Sequence, residues 1–186
     1  MLLILFSFFV DATIFGTPYG AGKDNTSVID TISKYYDFTI TGFSDLMFLD
    51  YDGWKESSSL ALQPDCRTYY DNGTLTPVNR YSIRESSQDS HNREYQGNNT
   101  KIFEEFVKEV NSQDDYNIDG NIKAIPIVAY HDFRGSGFID ISSGDDVSTD
   151  AKLFEAEMRY LYENGFKVIT MADLGYDERT NSIYIK

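Results

Sequence analysis

Cysteine occurs once in the 186 residues, at Cys66, so no disulfide can close within the chain and no zinc site can be built from thiolates. Histidine occurs twice, at His91 and His131, too far apart in sequence to share a helical turn, so a complete His-rich metal site is not encoded. Positive charge is scarce. Sixteen Lys and Arg stand against thirty Asp and Glu, a net charge of −14 that would repel a phosphate backbone and excludes nucleic acid as a partner. An anionic membrane surface is disfavoured by the same field. No apolar run approaches the ~20 residues that span a bilayer. The longest is MLLILFSFFV at 1–10, which lacks a basic flank. Val10-Asp11-Ala12 faintly resembles a signal cleavage site, and three readings stand side by side: a truncated signal, a buried strand, or a start placed inside a longer gene. The last two are compatible with each other.

What is present fits a soluble domain large enough to bury a core, with 41% hydrophobic and 25% charged residues. Aromatic residues are abundant, with 14 Tyr and 13 Phe against a single tryptophan, Trp54. A flat apolar ring face stacks on a pyranose, although filling the core is the commoner use of such residues. Three N-x-[ST] sequons, at Asn25, Asn72 and Asn98, fit an extracellular or cell-surface location, with the cytoplasm as the alternative. Such triplets also arise by chance in an Asn- and Ser-rich chain.

Along the chain, TIFGTPYG (13–20) predicts a short strand that ends in a Pro/Gly turn. Val28, Ile29, Ile32 and Tyr36 recur at helical spacing behind cap-type residues, which predicts a helix over 27–36. FTIT (38–41) and LMFL (46–49) read as strands. From 55 to 100 the texture is polar and turn-rich, and an insertion with little regular structure is expected. Ile102, Phe103, Phe106, Val107 and Val110 form an amphipathic stripe, so 101–110 reads as a helix. IPIVAY (125–130) is a nearly continuous apolar run, as in a strand covered on both faces, and it ends at His131-Asp132. Ser148-Thr149-Asp150 offers an N-cap to a helix lined by Phe154, Met158, Leu161 and Tyr162, with Gly165 placed to end it. FKVITM (166–171) and SIYI (182–185) complete the strands. This β/α alternation predicts a parallel sheet or barrel, in which functional residues sit at the carboxyl ends of strands. Pro18-Tyr19, Asp50-Asp52-Trp54 and His131-Asp132 are read at such ends.

The order FGTPYG (15–20), DYDGW (50–54), IVAYHD (127–132) and FEAEMRYLYENGFKVITMADL (154–174) resembles the second half of the polysaccharide deacetylase domain, carbohydrate esterase family four. The best match covers about 50 residues: Ala129-Tyr130-His131-Asp132 for the family's Leu-x-His motif, often followed by Asp, then Asn164-Gly165-Phe166-Lys167-Val168-Ile169-Thr170 and Leu174. By this resemblance His131 is the general acid toward the leaving amine, a role suited to an imidazole, which titrates near neutrality. Pro18 and Tyr19 match the family's Arg-x-Pro-(Tyr/Phe)-Gly, whose aromatic walls the acetyl groove. Gly16 stands where the family has the Arg that braces the base. Asp50, Asp52 and Trp54 match the Asp-x-x-Asp-Trp of the other wall with altered spacing, and Trp54 is the candidate sugar-facing aromatic.

The resemblance implies a partial, distorted (β/α) barrel of the glycoside hydrolase/deacetylase type: one domain over 1–186, with an apolar segment at 1–12, a polar insertion at 55–100 and a C-terminal β/α part at 101–186. It implies a hydrolase of carbon–nitrogen bonds other than peptide bonds, acting on a glycan that bears acetyl groups. The family's Thr-Phe-Asp-Asp-Gly-like strand and His-x-x-x-His helix, which hold the base and a divalent metal such as zinc, do not occur in these residues. Only the cation brings water's pKa near neutrality. The chain alone is therefore expected to hold no metal and to leave acetyl groups intact, with a missing N-terminal half as a possible partner. The alternative is a non-catalytic carbohydrate-binding or surface protein that keeps the groove.

Overall fold

In the computed structural model, which describes residues 2–5, 14–17, 25–43, 46–50, 80–88, 98–134 and 148–186, each helix begins at a side chain able to accept backbone N–H groups. Asn25 caps α1 (Thr26–Ile32), and its Oδ1 accepts from the amides of Ser27 at 3.0 Å and Val28 at 3.4 Å. Asn98 caps α2 (Asn99–Asn111) through the amide of Lys101 at 3.2 Å. Asp150 caps α3 (Ala151–Glu163) through Lys152 and Leu153, at 2.8 and 3.2 Å.

The end of α3 is equally well determined. Gly165 takes φ +71°, its amide donates to the Tyr162 carbonyl, and the Phe166 amide reaches back to the Leu161 carbonyl at 3.0 Å. This pair of bonds is the Schellman pattern, and the side chains of Leu161 and Phe166 share one apolar cluster, as that motif favours. A Cβ at Gly165 meets no neighbour, so the cost of Gly165→Ala is conformational. We expect it to remove about 1–2 kcal/mol, read as a lower urea midpoint at unchanged m-value.

Six strands form one sheet in the order β10-β1-β7-β5-β3-β2, and every pairing in it is parallel. They are β1 (Leu2–Leu5), β2 (Ile14–Gly16), β3 (Phe38–Phe43), β5 (Ile83–Ser87), β7 (Ile127–Ala129) and β10 (Lys167–Ile169). The apolar start of the chain thus supplies a strand with neighbours on both sides, Ile4 standing opposite Ile127 and Ile169. Smaller pairs decorate the sheet. β4 (Met47–Phe48) runs antiparallel to β6 (Ala124–Ile125), β8 (Asp132–Arg134) is parallel to β9 (Ser148–Asp150), and β11 (Leu174–Asp177) forms a hairpin with β12 (Ser182–Ile185).

Alternation along the strands separates two cores. Phe38, Ile40, Ile83, Ile127 and Ile169 join Met171, Leu174 and Ile183 on one face, here the core face. Val128 joins Phe106, Val110, Leu161 and Phe166 on the other, which α2 and α3 cover. The burial of these large side chains is what holds the layers together, at about 25 cal/mol per Å² of apolar surface removed from water.

Several expectations shift. The stretch 55–100, read as an insertion with little regular structure, contains β5, an inner strand with β3 and β7 as neighbours. Two polar side chains of this stretch, Ser86 and Gln88, lie in the layer under α2, where they hydrogen-bond to Glu109. The run 125–130 is two strands, because Pro126 has no N–H to give to a ladder. The first helix ends at Ile32, and Tyr36 packs instead on Phe15, with ring centroids 5.4 Å apart. Among the described residues, no helix is long and apolar enough to cross a membrane.

Candidate functional site

The candidate site lies beyond the carboxyl end of β7. Ile127 belongs to the core face and Val128 to the helix face. Tyr130 continues that alternation, packing against the helix-face cluster and meeting Phe154 of α3 edge-on at 4.9 Å. One residue further, His131 has the parity of Ile127 and Ala129, and its side chain is exposed. Beside it, Ser87 ends β5 opposite Ala129 and shares the parity of Ile83.

Beneath this edge, on the helix face, lies a buried polar layer. The Tyr130 hydroxyl donates to Glu157 Oε2 at 2.7 Å. Glu157 is fully buried, and its Oε1 has no hydrogen-bond partner among the described residues. Burial pushes the Glu157 carboxyl up to about 8, against which the bond from Tyr130 acts in the opposite sense. Burial likewise raises the Tyr130 phenol well above its usual value, and the charges of Glu157 and Glu109 add to the effect. Glu109 Oε2, on α2, accepts from Ser86 Oγ at 2.5 Å and from Gln88 Nε2 at 3.2 Å. Thr149 Oγ1 donates to the Gln88 carbonyl at 3.0 Å, tying β9 to the end of β5.

The residues singled out in the sequence are distributed unevenly. Pro18, Tyr19, Asp52 and Trp54 lie outside the described residues. Asp132 enters β8, where its backbone stands opposite Ser148. Asp50, read at the carboxyl end of a strand together with His131, is exposed at the other end of β7. The preceding Leu49 donates its amide to the Lys123 carbonyl. Lys123 lies eight positions before His131, and that length of extended chain spans roughly 25 Å. The reason is β4: it runs antiparallel to β6 and so delivers Asp50 to the amino end of the β6–β7 stretch.

The buried layer was missed in the sequence, although it left a signal. Glu157 falls on the apolar stripe of α3 between Leu153 and Leu161, and Glu109 falls on that of α2 between Phe106 and Val110. An acid in the middle of an apolar stripe is a buried acid, and a buried acid requires a donor.

No model of a known protein family matches this chain, and no curated protein and no solved structure matches it. The divalent metal that the resemblance implies finds no fit in the described residues. His131 is a single donor at the edge, and no group of three His, Cys, Asp or Glu side chains among the described residues could hold an ion.

Proposed function

We propose that this chain is a polysaccharide deacetylase-like protein of carbohydrate metabolism that binds an acetylated glycan at the carboxyl edge of its parallel sheet. His131 would meet the acetamido nitrogen. The observation that carries the reading is the position of His131: an exposed imidazole two residues beyond an inner strand of a parallel sheet, with core-face parity. Ligands of parallel α/β folds gather at that edge because loops there are free to vary above a rigid frame. The β/α order and the face covered by α2 and α3 support the partial barrel that the resemblance implies.

His131 can donate a hydrogen bond or a proton to an amine leaving group. Ser87, one strand away on the same face, can hydrogen-bond a sugar hydroxyl. The base and the metal ligands of the family have no counterpart in these residues, so the chain by itself binds without hydrolysing. Its place is at an extracellular or cell surface, where acetylated glycans are met.

Titration of the full 186-residue chain with N-acetylglucosamine oligomers, followed through the imidazole resonances of His91 and His131, tests this. Saturable shifts of the His131 signals are expected, with binding weakened about tenfold in His131→Ala, a loss of about 1.4 kcal/mol. Acetate release should stay at the blank level with or without added zinc. Unperturbed His131 signals with chitin, peptidoglycan and xylan fragments alike would overturn the glycan site, and chelator-sensitive acetate release would overturn the binding-only role.

A further inference from the structure

We infer that Glu157 is a positioning residue for His131, acting through its hydrogen bond with Tyr130. The inference rests on His131 being the group that meets the ligand, and it assigns the element that aims it.

The backbone around His131 is held on both sides. After it, Asp132 enters a parallel pairing with Ser148. Before it, the Tyr130 ring is confined by three contacts. Its hydroxyl is bonded to Glu157 at 2.7 Å, Phe154 meets it edge-on at 4.9 Å, and Phe133 stacks on it at 5.8 Å. His131 is thus the one residue between a clamped ring and a ladder. Of the three contacts, only the hydrogen bond sets direction, since apolar packing tolerates sliding and rotation far better than a 2.7 Å donor–acceptor pair does.

Packing alone does not call for a carboxyl here. Leu153 and Leu161 occupy the same stripe one turn to either side, and a leucine at 157 would fill similar volume without burying a polar group. Glu109 is the other acid whose charge reaches Tyr130, and it is held on its own side of the layer by Ser86 and Gln88. The pair Tyr130–Glu157 therefore fixes one donor–acceptor geometry at the strand end. Glutamine at 157 would preserve an acceptor for the Tyr130 hydroxyl.

The test compares wild type with Tyr130→Phe, Glu157→Leu and Glu157→Gln, each first shown to melt cooperatively. The readouts are the imidazole titration curve of His131, with His91 as internal reference, and affinity for N-acetylglucosamine oligomers. Tyr130→Phe and Glu157→Leu should displace the His131 resonances and its titration midpoint, leave those of His91 in place, and weaken the glycan about tenfold. Glu157→Gln should restore both. Tyr130→Phe removes one oxygen and keeps the ring, so it remains informative if Glu157→Leu does not fold. An unchanged His131 titration in a folded Tyr130→Phe protein would overturn the inference. Absence of glycan binding in wild type would instead strike the site itself, while the displaced His131 titration would still stand.

Discussion

Between about pH 5 and pH 8 the wild-type protein should lose stability relative to Glu157→Gln, by up to several kcal/mol. Glu157 carries its proton up to about 8 in the folded chain, against an ordinary value of 4.5 for the unfolded one. Below 4.5 both states hold the proton and the group is neutral to folding. Between the two values only the folded state holds it, so each unit of rising pH costs about 1.4 kcal/mol. Above 8 both states are ionised and the loss is complete. The stability is thus fully present at low pH and is lost as pH rises toward 8. Tyr130, whose phenol is raised further, stays protonated throughout this window. A glutamine cannot titrate, so the difference in unfolding free energy between variant and wild type should grow from pH 5 to pH 8. Urea titrations at three pH values measure it. A difference that stays flat would mean that Glu157 is ionised in the folded state and partnered in a way that the Tyr130 bond alone does not account for.

Asn117→Ala should be among the most damaging single substitutions outside the apolar cores, at about 3 kcal/mol for the buried groups that it orphans. Asn117 Oδ1 accepts the amides of Lys123 at 2.7 Å and Ala124 at 2.9 Å, while its Nδ2 donates to the Ala124 carbonyl at 2.8 Å. One side chain therefore serves both polar groups of Ala124, a residue with no exposed surface at the entry to the central strands. Alanine would leave them buried without partners, a cost comparable to a large fraction of a domain's stability. The measurement is a urea midpoint together with hydrogen exchange at the Ala124 amide, whose protection should collapse. Asn117→Asp keeps the acceptor and loses the donor, so it should fall between the two. Retained protection of the Ala124 amide in the alanine variant would show that water replaces the side chain.

How far the fold can be read from the residues depends on whether a local rule decides the matter. Asp150 and Gly165 bracket α3 because capping and positive φ are local requirements, and both were visible in advance. β5 was hidden because Ile83–Ser87 carries Arg, Glu and two serines, a composition that reads as loop until Glu109 is known to lie above it. That contact joins residues 23 positions apart and has no local signature. The same holds for the candidate site. His131 was legible from the apolar run that ends at it, whereas the direction of β4, and with it the location of Asp50, depends on a pairing with residues some 75 positions further along. Glu157 and Glu109 were readable in principle, as acids on apolar stripes, since a helical period predicts which side chains are buried.

Asn25 and Asn98 are both sequon residues and both helix caps, and the two roles draw on different atoms. Each cap uses the carbonyl oxygen Oδ1, whereas an N-linked sugar is joined through the amide nitrogen Nδ2. Both residues are exposed. A modified asparagine at either position would keep its acceptor, so α1 and α2 could each carry a bulky hydrophilic branch at the first turn without unravelling there.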